Sequence, residues 1–103
     1  MVKEIINNDV TELNNAEVAL LDVFATWCGP CKAISPIIEE LSEEFSGRVE
    51  FFKADSEENP KLARKLRVMS IPNVILFKKG EVVSRQIGAL SRDDFKNWIE
   101  ENL

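Results

Sequence analysis

The 103-residue sequence predicts an α/β fold, read as one domain spanning residues 1–103, and three observations carry that reading. Val18 to Ala25 is almost continuously apolar, as a central strand covered on both faces must be. Segments of helical periodicity alternate with such runs, the pattern of strands laid side by side through helical crossovers. Near the C-terminal end, Lys78-Lys79-Gly80 separates two strand-like stretches, as the turn of a β-hairpin does.

The elements follow in order. Val2 to Ile6 reads as a short first strand, and Asn8 or Asp9 is a candidate cap for a brief helix that turns Val10 and Leu13 inward. After the central strand, a helix is expected from about Cys28 to Phe45. Its Cys31, Ile34, Ile38, Leu41 and Phe45 recur at steps of three and four, and Glu39, Glu40, Glu43 and Glu44 cover the outside. Gly47 is a candidate C′ residue. Pro36 lies within this helix, where the missing N–H predicts a kink. Val49 to Asp55 reads as a second buried strand, and Asn59-Pro60 as an N-cap followed by proline at the first helical position. Leu62, Ala63 and Leu66 form the inward side of the helix so opened. Val74 to Phe77 and Glu81 to Ile87 make the hairpin, and the polar residues of the latter suit an edge. Ser91 caps a last helix whose inward face is Phe95, Trp98, Ile99 and Leu103. The order is β-α-β-α-β-α-β-β-α, with parallel pairing through helices and antiparallel pairing in the hairpin.

Composition narrows the function. The chain is 45% hydrophobic and 30% charged, ordinary for a soluble globular protein. Its net charge of −5 speaks against nucleic acid and anionic membrane, which call for clustered cations. No apolar run approaches the roughly 20 residues that span a bilayer. The opening residues Met1 to Asn7 lack a secretory signal, so the cytoplasm is the expected location. There a lone C-x-x-C serves catalysis or redox sensing rather than permanent bridging. The absence of histidine removes Ser-His and Cys-His nucleophiles. It also disfavours zinc, because two cysteines supply half of a tetrahedral structural site; no metal and no bound cofactor are expected.

Trp27-Cys28-Gly29-Pro30-Cys31 holds the only two cysteines, at the passage from strand to helix. C-x-x-C beside a βαβ pattern is an established redox sign. Cys28 at a helix N-terminus faces unpaired N–H groups and the positive end of the dipole, which favour a thiolate. A thiolate attacks disulfides, so Cys28 is the candidate nucleophile. Cys31, one turn further on the buried side, is positioned to displace the product from a mixed disulfide. Gly29-Pro30 suits the short loop, since proline loses no bond in the first turn. Asp22 interrupts the apolar strand, and burial should raise its pKa unless a partner compensates. Lys53 in the next buried strand is the candidate partner. Asp22 then reads either as the proton acceptor and donor for Cys31 or as half of a structural ion pair. Ile71-Pro72 before a strand reads, taken alone, as a loop end with a trans bond.

The run Asp22 to Lys32, with Ser70-Ile71-Pro72, Lys78-Lys79-Gly80 and Ile87-Gly88-Ala89 in the same order and spacing, resembles the thioredoxin family. The resemblance covers essentially the whole chain. It implies a mixed five-stranded sheet of order 1-3-2-4-5 flanked by four helices, and a cis bond before Pro72, packed against the cysteines. It implies that Cys28 attacks, Cys31 resolves, and Asp22 with Lys53 manages the buried proton. Trp27, Gly29, Pro30, Ile71, Pro72, Gly88 and Ala89 would form the substrate surface, with backbone near Ile71 pairing to an extended target segment. The family further implies a monomer that reduces disulfide-containing target proteins and is recharged by a thioredoxin reductase drawing on NADPH or ferredoxin. Two departures stand out. Phe24 occupies a place where many members carry Trp, which leaves Trp27 to report optically on the site. Asn73 follows Pro72 where Thr is common. Two other functions fit the same residues: an oxidase or isomerase, disfavoured by Gly-Pro between the cysteines, and a redox-switched binding module.

Overall fold

The computed structural model describes residues 1–103 and contains five strands and four helices. They are β1 (Val2–Glu4), α1 (Thr11–Asn15), β2 (Val18–Phe24), α2 (Gly29–Glu44), β3 (Glu50–Asp55), α3 (Pro60–Lys65), β4 (Asn73–Lys78), β5 (Glu81–Ile87) and α4 (Arg92–Glu101). The sheet order is β1-β3-β2-β4-β5, as the thioredoxin resemblance implies. β1 and β2 pair parallel to β3, whereas β4 runs antiparallel to both β2 and β5.

The unbroken apolarity of β2 has a direct structural cause. Successive side chains alternate between faces, and both faces are covered. On one, Leu20 joins Phe51, Val74 and Leu76 under Ile34, Ile38 and Leu41 of α2 and Phe95, Trp98 and Ile99 of α4. On the other, Ala19, Leu21 and Val23 join Phe52, Ile75 and Phe77 beneath Leu13 and Leu62. The predicted inward stripe of α2 is buried throughout, while Pro36 stands on its exposed side and the helix continues past it to Glu44. Trp98 carries a polar N–H into the core and donates it to Ser84 Oγ at 2.9 Å.

Several local expectations need correction. Asn59 does occupy the N-cap position of α3, yet its side chain makes no capping bond. It is buried instead, accepting from Asn8 N–H (2.8 Å) and donating to the carbonyls of Ile5 (3.2 Å) and Asp55 (3.0 Å). Asn8 in turn accepts from Leu62 N–H, so it serves α3 rather than α1. Neither Asn8 nor Asp9 caps α1, whose N-cap is Val10 with no side-chain capping bond; Asp9, one residue earlier, accepts from both the amide and the hydroxyl of Thr11. Gly47 lies one residue beyond C′, because α2 ends with Phe45 as its cap. Leu103 falls past the end of α4 and is exposed. By contrast Ser91 accepts from Asp94 N–H at 3.1 Å, the capping bond its type predicts. The β4–β5 turn is Lys79-Gly80, with φ of 51° and 81°, the doubly left-handed pair that matches hairpin twist. A bulge between Leu76 and Phe77 then shifts the register of the edge strand β5.

Candidate active site

Parallel pairing sends the C-terminal ends of β2 and β3 to the same edge, and antiparallel β4 begins there. That edge gathers the chemistry. Cys28 is the N-cap of α2, with Pro30 in the first turn as a residue needing no N–H. Cys28 and Cys31 are joined as a disulfide with Cα atoms 5.3 Å apart. The Cys28 sulfur accepts the Cys31 N–H at 3.2 Å, so a backbone donor of the first turn is aimed at that sulfur. In this oxidised form both cysteines are buried to nearly the same degree, 5% and 3% exposed. What separates them is therefore helix position rather than exposure. Trp27, Gly29 and Pro30, the chain neighbours of the two cysteines, are all exposed, Trp27 to 67%.

Asp22 and Lys53 are direct register partners across β2 and β3. Asp22 is buried and its Oδ1 has no hydrogen-bond partner, so the pair is not a contact ion pair that fully satisfies the carboxylate. Burial pushes the Asp22 carboxyl up to about 6, and the Lys53 charge pulls in the opposite direction without cancelling it. Both residues line a cavity of about 240 Å³ that also reaches Cys31, with Phe24, Lys32 and Ser35 in its wall. A titrating group near neutrality thus shares one small space with the inner cysteine.

The Ile71–Pro72 bond is cis, unlike the trans bond that the residues alone suggest. Ile71 packs on the small cluster of Ala25, Cys28 and Cys31. Gly88, at φ +91°, donates its N–H to the Pro72 carbonyl at 2.9 Å, which brings the end of β5 beside the same loop. Ala89 is exposed next to it. One apolar residue beside this loop was missed by sequence reasoning: Met69, 91% exposed. Ile87, 58% exposed, entered only as part of the matching run and not as a site residue. A large apolar residue immediately before Ser70-Ile71-Pro72 was the available signal for Met69.

A dithiol at a helix N-terminus, a buried carboxyl behind it and an apolar rim in front define a protein-disulfide oxidoreductase. The thioredoxin family model matches residues 2–101. A thioredoxin of Staphylococcus saprophyticus is 45% identical over 86 residues, 84% of this chain and 83% of the relative. Thioredoxins of Staphylococcus haemolyticus (37% identical, 99% and 98% covered) and Staphylococcus aureus (42%, 84% and 83%) are similar in the same way. The chain belongs to the thioredoxin family.

Proposed function

We propose that this protein is a general protein-disulfide reductase working in the cytoplasm, recharged by a thioredoxin reductase and binding no cofactor itself. The observation that carries the reading is the N-cap placement of Cys28, whose sulfur already accepts a backbone N–H. In the reduced protein the Cys28 thiolate attacks one sulfur of a target disulfide. A bond forms between Cys28 and that sulfur, the target S–S bond breaks, and the released thiolate takes a proton. Cys31 then gives its proton to the Asp22 carboxylate and attacks the Cys28 sulfur. The mixed disulfide breaks, the second target sulfur leaves as a thiolate that takes up a proton, and the Cys28–Cys31 bond holds the two electrons' worth of oxidation. Lys53 tunes Asp22 by its charge. Trp27, Gly29, Pro30, Ile71, Pro72, Gly88 and Ala89 form the contact surface, where the backbone of Ile71 pairs with an extended target segment.

No helix is long and apolar enough to cross a membrane. The expected partners are disulfide-containing proteins and the reductase, met by a monomer. The deciding experiment is the equilibrium potential of the Cys28–Cys31 couple, titrated in defined dithiol buffers and followed by Trp27 fluorescence or alkylation. A potential well below that of the glutathione pool supports the electron-donor role. A potential at or above it overturns that role in favour of an oxidase, an isomerase or a redox-switched binding module.

A further inference from the structure

Charge is spread unevenly along the chain. Between Glu58 and Glu81 there is no Asp or Glu, yet this stretch holds Lys61, Arg64, Lys65, Arg67, Lys78 and Lys79 in a protein of net charge −5. Lys61, Arg64, Lys65 and Arg67 are exposed on α3 and its closing turn. None of the four joins an ion pair, whereas Lys3, Arg48, Lys79, Arg92 and Lys96 are paired. Lys32, Lys53, Lys78 and Arg85 are likewise without one, but only on α3 and its closing turn do four such cations fall within seven residues. The helix itself gives only a partial reason for them. Arg64 and Lys65 suit its last turn, but Lys61 stands in the first, where the dipole disfavours a cation. Lys61 also faces Arg64 and Lys65 at helical spacings where like charges repel.

The position of this basic strip matters. From Arg67 the chain runs through the exposed Met69 to Ile71, which packs on Cys28 and Cys31. Four residues of chain reach at most about 14 Å, which places the end of α3 within that distance of Ile71.

We propose that the α3 surface receives an acidic segment of the disulfide-bearing partner, so that targets are ranked by the charge beside their disulfide. The proposal rests on the reductase reading and names the partner class for that site. Protein is favoured over nucleic acid because the strip is short and the rest of the molecule is acidic enough to repel a phosphate backbone.

The test uses three disulfide-bonded peptides identical except for acidic, neutral or basic flanks, reduced by the full-length dithiol protein under second-order conditions. At low salt the acidic peptide should react about tenfold faster than the neutral one, and the basic peptide slowest. The ratio should fall toward one as salt rises beyond screening range. It should also fall toward one in the K61E/R64E double variant, whose folding is checked by circular dichroism. If that variant does not fold, the charge-neutralising K61Q/R64Q variant takes its place in the same comparison. Equal rates for acidic and neutral peptides at low salt overturn the proposal while leaving the reductase intact. Failure to reduce any peptide overturns the reductase reading and this proposal with it. Binding of a single-stranded oligonucleotide at physiological salt, abolished in the double variant, would overturn the choice of a protein partner.

Discussion

Asp22 sets a buried, incompletely bonded carboxyl against the stability of the fold. Its carboxyl, near 3.8 in an unfolded chain, is pushed up to about 6 by burial. A raised carboxyl pKa means that stability is fully present below about pH 4 and is lost as pH climbs through 6. The interval corresponds to about 3 kcal/mol. Asp22→Asn should therefore be the more stable protein at pH 8, by about 2–3 kcal/mol, with the difference gone at pH 4. Urea melts at both values measure it, and an advantage that persists at pH 4 would refute the linkage. The same substitution should remove an inflection near pH 6 from the rate of mixed-disulfide resolution, as followed by stopped-flow fluorescence. A carboxyl with a purely structural role would leave that profile unchanged. Such a residue was legible in the sequence as a charge interrupting an apolar strand. Its lack of a bonding partner was not, because that depends on how far Lys53 stands from it in space.

Among the elements, α3 shows how a short helix is held when its sequence supplies little. It has six residues, and its N-cap side chain bonds elsewhere. At the other end the chain closes with Val68 N–H on Ala63 and Arg67 N–H on Arg64, while Arg67 sits at φ 55°. That is a Schellman closure with arginine where glycine is usual. Arg85 from β5 secures it further by donating to the Leu66 carbonyl at 2.8 Å. Arg67→Gly should relieve the left-handed backbone and raise stability by about 0.5–1 kcal/mol, net of the extra freedom glycine gains on unfolding. Thermal and urea denaturation check it; a loss of stability would show that the arginine side chain contributes more than its backbone costs. Periodicity revealed the helices and strands because their apolar faces are set by local repeats of 3.6 and 2 residues. It did not reveal the role of Asn59, whose bonds to Asn8 and Ile5 join segments more than fifty positions apart. Long-range polar bonds leave no periodic trace.

For the whole molecule, the arrangement of the core matters most. Two large apolar clusters lie on opposite faces of the sheet, and the cysteines belong to neither. They sit in a separate group with Ala25, touched by Phe24 and Ile71. The disulfide also spans only three positions of chain. Closing so small a ring restricts the unfolded ensemble by about 2 kcal/mol in the loop-entropy account. Reduction should therefore lower unfolding stability by about that amount and leave far-UV circular dichroism unchanged. Denaturant melts of the two redox forms test the expectation, and a collapse of structure on reduction would contradict it. The residues around the bond come from β2, α2, β3, the loop before β4 and the end of β5. Asp22 and Lys53 were legible as charges in neighbouring buried strands, whereas Pro72, Gly88 and Ala89 were brought to the site only by the family likeness. The separation of bond from core gives the protein a working part it can open and close indefinitely. Like a clasp on a finished case, the sulfur bridge can be undone on every turnover without slackening the frame that carries it.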